Sequence, residues 1–310
     1  MRQTVTESDE IAALSPSSSR RMASSKGAKG ILYMVIASIL FATGGLVLKW
    51  TNWNSLAING VRSCFGAVVI GLFMLITHHR LRLNKSVFAG AVAYMFMTTL
   101  FVLSNKMTAA GNAIVLQFSC PIWIVLLNLI LFHRKPDRRQ IIALTLIVIG
   151  IVCFFLDSLQ SGSWAGDLIA ILSGLFYAIL FMLNSFKNGD ALSSIFLGQI
   201  GTVICMAPFA YGCSMTPSNL FAIFWLGTFQ VGFAYVFFAL GTGLISALNA
   251  SLVNAIEPVL NPTLVALAGY ESLSGLSLAG AAIVICSVIW NSLPASARRH
   301  LQAKTAVSVK

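Results

Sequence analysis

Gly30-Ile-Leu-Tyr-Met-Val-Ile-Ala-Ser-Ile-Leu-Phe-Ala42 returns 136 residues later as Gly166-Asp-Leu-Ile-Ala-Ile-Leu-Ser-Gly-Leu-Phe-Tyr-Ala178, with similar polarity and similar placement of small residues. A second pair lies at almost the same offset. Asn112-Ala113 followed by Pro121 matches Asn249-Ala250 followed by Pro258, 137 residues on, with seven residues between in each case. Two anchors at nearly one offset mark an internal duplication, and a repeat constrains the architecture before any motif is read.

The repeated unit is built from apolar helix. Of the 310 residues, 57% are hydrophobic and 9% charged, with a mean hydropathy of +0.86, whereas a soluble domain is roughly one quarter charged. The chain divides into ten apolar stretches: Ile31–Trp50, Ser55–Thr77, Ser86–Asn105, Ala109–Phe132, Ile141–Leu156, Ala165–Phe186, Ala191–Tyr211, Asn219–Leu240, Ser246–Gly269 and Leu276–Asn291. Each approaches the ~20 residues that a helix rising 1.5 Å per residue needs to cross the hydrocarbon core. Lipid offers no partner to an unpaired backbone group, so such segments are helical, and their unbroken apolarity excludes barrel strands. The expected fold is an all-α integral membrane protein of ten transmembrane helices. Its two five-helix repeats, 31–157 and 165–291, surround a central cavity, between a disordered cytoplasmic tail at 1–30 and a basic cytoplasmic tail at 292–310. Five is odd, so the second repeat enters the membrane inverted, a layout typical of secondary transporters.

The net charge of +11 reports topology and not a nucleic-acid partner. With the N-terminus inside, 17 of the 20 basic residues fall on inner segments, and only Lys49, Arg62 and Lys106 fall outside. This division follows the positive-inside rule and assigns both termini to the cytoplasm, in what is expected to be a bacterial plasma membrane. The six cysteines are scattered through apolar segments without metal spacing and read as small buried hydrophobes. The four histidines, His78, His79, His133 and His300, sit at cytoplasmic ends, so no catalytic cluster, metal site or cofactor is expected and the chain is not read as an enzyme.

The two-times-five layout, the stretch 166–178, and Glu257-Pro258-Val259 after Ser251-Leu-Val-Asn-Ala-Ile resemble the EamA-type branch of the drug/metabolite transporter superfamily, over Gly30 to Asn291. The resemblance implies a basket of helices around a cavity that carries amino acids, other small metabolites or drugs, mostly outward. One departure is visible. An acidic residue often closes the fourth helix in that family, and here the junction reads Phe132-His133-Arg134-Lys135-Pro136.

Among nine acidic residues, Glu257 alone lies near the centre of an apolar span. An ionised carboxylate there costs at least ~2.5 kcal/mol to insert, so it faces a wet cavity, pairs, or stays protonated. Asn254, Glu257 and Asn261 share one helix face, and Pro258 and Pro262 free nearby carbonyls and favour a kink. Weaker polar stripes contain Tyr94 and Thr98 in the third span, Asn112 and Ser119 in the fourth, and Tyr177 and Asn184 in the sixth. Interhelical hydrogen bonding would explain any one of them, while together they suggest a polar lining. Arg62 lies about two turns inside the second span, where snorkelling, pairing and substrate-carboxylate binding are all open. These ten residues are the candidate substrate or proton site. The expected function is secondary transport of small organic metabolites by alternating access, with export of amino acids or their derivatives leading. Multidrug or nucleoside and sugar-derivative transport is the alternative. The expected partners are a small-molecule substrate, protons as a candidate co-substrate, and the lipid bilayer, with no nucleic acid; a monomer would suffice.

Overall fold

The computed structural model describes residues 16–48, 50–108, 110–158, 164–269 and 275–292. Among them there is no strand. The helices are α1 (Pro16–Leu48), α2 (Ser55–Ile76), α3 (Lys85–Met107), α4 (Ala110–Gln117), α5 (Cys120–Phe132), α6 (Arg138–Ser158), α7 (Trp164–Met182), α8 (Ala191–Met206), α9 (Pro217–Trp225), α10 (Ala234–Leu244), α11 (Ala247–Asn254), α12 (Glu257–Leu267) and α13 (Gly275–Ser292). A π-helical stretch, Leu226–Phe233, joins α9 to α10. By length and composition, eight stretches among the described residues can cross a membrane: Ser25–Leu48, Ser55–Ile76, Lys85–Met107, Ala113–Phe132, Trp164–Ser185, Ala191–Ala210, Pro217–Leu244 and Ala247–Leu267. The fifth and tenth expected spans are helical as α6 and α13 but are not among the eight; α13 contains the shorter apolar helix Leu278–Ser287.

At the N-terminus α1 begins ahead of the apolar run. Residues 16–30 are not coil but the first turns of α1. Pro16 suits a first helical turn, and Arg20, Arg21, Met22 and Ala23 are all good helix formers, so local propensity extends the helix beyond the apolar run. Residues 1–15 and the C-terminal tail lie outside the described residues.

Polar residues at the loops start the helices. Asn54 caps α2 by accepting from the Ala57 N–H (2.8 Å), and Asn84 caps α3 through the Val87 N–H (3.1 Å). Thr216 and Ser246 do the same for α9 and α11, each supplying an oxygen to an orphan donor of the first turn. The fourth and ninth spans are each broken in mid-course, at Phe118–Ser119 between α4 and α5 and at Ala255–Ile256 between α11 and α12. Pro121 and Pro258 follow the breaks, where their missing N–H is harmless in a new first turn.

The most extensive helix contacts join α3 to α7, α6 to α13, α1 to α10, α3 to α8, α2 to α8, and α2 to the π-helical stretch. Large apolar side chains such as Leu72, Leu75 and Ile130 face outward, 53%, 72% and 66% exposed. That surface is suited to lipid and not to water. At one end, His79 meets Asp190 at 2.7 Å; at the other, the Trp53 indole donates to the Ser214 carbonyl at 2.8 Å.

Close approach at Gly60 sets the packing of α2 on the end of α8, because a Cβ there would collide with the backbone of Met206 and Ala207. Backbone cannot swing aside as a flexible side chain can. Gly60→Ala is therefore expected to cost about 1–3 kcal/mol and to lower the thermal midpoint in detergent by several degrees. Gly275→Ala, whose Cβ would meet nothing within 4 Å, is the matched control and should leave the midpoint unchanged.

Candidate functional site

A narrow cavity lies where eight segments converge. Its lining comprises Phe41 of α1, Arg62 of α2, Met97, Thr98 and Phe101 of α3, Gln117 of α4, Tyr177 of α7, Gln230 and Val231 of the π-helical stretch, Tyr235 of α10, and Glu257 of α12. Its volume, ≈ 20 Å³, is room for about one water molecule.

Glu257 is the first residue of α12, directly after the break, and is 4% exposed. Its Oε2 accepts from the Asn254 amide at 2.9 Å, and the same amide nitrogen reaches the Tyr177 hydroxyl at 3.0 Å. Asn254 in turn accepts from Ser38 at 2.8 Å, so one amide ties α1, α7 and α12 together. Tyr177 is buried against the rings of Phe181 and Phe238, which also touch each other. Opposite the break in the other half, the Gln117 amide donates to Ser173 Oγ at 2.7 Å. Gln117 and Asn254 both end the helix before a break, and each is bonded to a serine on a neighbouring helix.

Arg62 does not snorkel. It is 2% exposed, with Nε and Nη2 on Asn59 Oδ1 (3.2 and 3.0 Å) and Nη1 on Gln230 Oε1 (3.1 Å). Gln230 reaches it from the π-helical stretch, whose wider turn is a common way to re-aim one side chain at a functional site. Both partners are neutral amides. Among the described residues no carboxylate lies within ion-pair distance of the guanidinium. The cavity thus has a buried cationic group and a buried carboxyl group on its walls, each held by amides and surrounded by aromatic rings.

The remaining sequence candidates divide. Thr98 lines the cavity, and Tyr94 packs edge-on against Tyr235 (5.1 Å) with its hydroxyl buried and unbonded. Asn261 is buried beside Gly45 of α1 with neither amide atom bonded, outside the cavity lining. Asn184 joins elements instead: it donates to Thr242 (3.1 Å) and accepts from the Ala191 N–H (3.0 Å). Ser119 lines a separate lateral pocket. The side chain of Asn112 lies outside the described residues. Gln117, Gln230, Tyr235 and Ser38 were not among the expected site residues. The legible signal was there for the two glutamines, each an amide inside an apolar run.

Residues 28–156 match the EamA-like transporter family. Over that stretch the chain is similar to the family, and the match together with the eight apolar stretches makes it an integral membrane protein. An uncharacterized transporter of Archaeoglobus fulgidus is 22% identical over 264 residues, covering 83% of this chain and 93% of the relative. A solved crystal structure of another protein aligns with a TM-score of 0.72 at 17% identity, over 85% of this chain and 98% of that one, so the chain shares its fold.

Proposed function

We propose that this protein is a secondary transporter that exports small zwitterionic metabolites, amino acids or their derivatives foremost, by alternating access. The single observation that carries the reading is the presence of both Arg62 and Glu257 on the walls of one narrow cavity. A guanidinium bonded only to neutral amides in a dry interior favours an incoming carboxylate, because charge-assisted, forked hydrogen bonds are the strongest available to it. Glu257 offers the complementary pole to an ammonium group, or carries a coupling proton. Phe41, Met97, Phe101 and Tyr235 between them suit an apolar side chain.

Alternating access is supported by size and by symmetry. An organic substrate does not fit ≈ 20 Å³, so the helices must part to admit one. Exchange of residues 31–157 with 165–291 turns the α1–α10 contact into α7–α3 and α3–α8 into the contact of the π-helical stretch with α2. It leaves α2–α8 and α6–α13 paired with themselves. Gln117 and Asn254 exchange places under the same operation, and each bonds a serine of the neighbouring helix, Ser173 and Ser38, which stand one position apart in the repeat. These relations favour two inverted five-helix repeats, ten spans in all, rocking about a site built at broken helices. At the mouth assigned to the cytoplasm, a half-open pocket of ≈ 220 Å³ lined by Asn128, Arg134, Lys135, Gln140 and Ser246 would receive substrate. Both termini then lie in the cytoplasm of a plasma membrane.

The test is a comparison of metabolites released by cells expressing the unaltered protein and cells expressing Glu257→Ala. Neutral amino acids are expected to appear outside the first and to fall to the background of empty cells in the second. Equal release from both, at equal membrane expression, removes Glu257 from the mechanism.

A further inference from the structure

The break in the fourth span has two faces. Gln117, on the inner face, belongs to the central cavity. The other face forms a second pocket of ≈ 200 Å³, walled by Val115, Phe118, Ser119 and Trp123 from the two sides of the break, Val148 of α6 and Ile171 of α7. Ile122 of its wall and the nearby Ile149 and Leu172 are exposed apolar side chains, 41%, 46% and 45%, so it opens on an apolar surface suited to lipid.

No charged side chain lines this pocket, yet it contains two polar atoms, Ser119 Oγ and Trp123 Nε1, both buried and without a hydrogen-bond partner. Buried donors are almost always bonded, and hydrocarbon supplies no water to do it. An indole N–H can only donate and a hydroxyl can donate as well, so the two groups ask for an acceptor oxygen on the ligand. The volume is below the ~300–1,000 Å³ of sites for drug-sized molecules, which limits the occupant to a smaller one.

We propose that this pocket is a second binding site, for a small uncharged amphiphile that arrives through the bilayer: an aromatic or alicyclic alcohol or ketone with one oxygen acceptor on an apolar body. The oxygen takes the bonds of Trp123 and Ser119, and the body fills the space against Val148 and Ile171. Because Ser119 and Gln117 flank the same break, occupancy holds the break in this arrangement and slows transport without competing for the central site. Binding stands independently of the transport reading above; the effect on transport rests on it.

Trp123 reports the binding. In the full chain reconstituted in vesicles, 4-bromobenzyl alcohol is expected to quench, saturably, the part of the tryptophan emission that Trp123→Phe lacks, while 4-bromotoluene quenches it only in linear proportion to its partitioning. Ser119→Ala should weaken the apparent affinity for the alcohol about 3- to 10-fold. Val148→Phe, which fills the pocket, should abolish saturation, and Ile171→Phe does the same from the opposite wall if the first variant is not monodisperse. Linear quenching by both probes, or saturation that survives both filled variants, overturns the site. In the same vesicles the alcohol should lower maximal efflux at unchanged KM. Saturable quenching with unaltered efflux would leave the site standing and overturn its regulatory role; absence of any transported substrate would instead overturn the transport reading, with quenching unaffected.

Discussion

Arg62→Gln is expected to raise the KM for leucine efflux from reconstituted vesicles about 10-fold or more, while leaving isopentylamine, the same molecule without its carboxylate, as poor a substrate as before. Hydrogen bonds to charged groups are worth ~1.5–3 kcal/mol, and each 1.4 kcal/mol is a factor of ten, so loss of a forked guanidinium–carboxylate contact predicts about 10- to 100-fold. The substrate comparison separates binding from structure. Arg62 also bridges Asn59 to Gln230, and a variant damaged only in packing would lose leucine and amine transport alike. Glutamine keeps a donor for Asn59 and so preserves part of that bridge. Arg62→Lys keeps the charge but not the planar fork, and is expected to fall between the two. An Arg62→Gln protein that is monodisperse and moves leucine with unchanged KM would end the assignment of the carboxylate to this residue.

Most of the architecture was legible because lipid leaves the chain so few options. Apolar length gave ten expected spans, eight of which overlap stretches that can cross a membrane, and the Asn-Ala…Pro spacing repeated at 112–121 and 249–258, read as a repeat, falls where two spans break. A proline was read only as favouring a kink; full interruption at Phe118–Ser119 and Ala255–Ile256 depends on what packs behind it, which sequence does not display. Asn254 and Glu257 of one stripe and Tyr177 of another stood out because polar groups are rare in such helices, but that Asn254 bonds both of the others is visible only in the structure. For Arg62 the sequence left snorkelling, pairing and carboxylate binding open, and the structure turns it inward. Its turn inward depends on Gln230, 168 residues away, reaching it from a π-helical stretch for which apolar periodicity carries no signal. Asn184 and Ser119 fell on the expected stripes but serve other neighbours, because a helix face predicts which residues share a side and not which side meets the cavity.

Gly45→Ala is expected to lower transport about 10-fold or more, and Gly45→Ala with Asn261→Ala is expected to recover to the level of Asn261→Ala alone. In the structure α1 packs on α12 at this point so closely that a Cβ on Gly45 would overlap the Asn261 carboxamide, and a Cβ on the adjacent Gly44 would lie 2.8 Å from the Gln230 amide. Both amides are buried, so neither can move into solvent to make room. Asn261 makes no hydrogen bond there, so its truncation removes the obstruction while breaking none. The added methyl must therefore push α1 off α12, one turn beyond Glu257 and close to the Ser38–Asn254 bond that steadies the site. Overpacking of this kind costs about 1–3 kcal/mol, and residues in direct contact couple by similar amounts, so the double variant should regain both the thermal midpoint and the transport that the single variant loses. This comparison is indifferent to any separate role of Asn261 in passing substrate outward, because the reference for recovery is Asn261→Ala itself. If the double variant stays as impaired as Gly45→Ala, the defect lies not in this contact but in the adjoining Gly44 and Gln230, and with them in the support of Arg62.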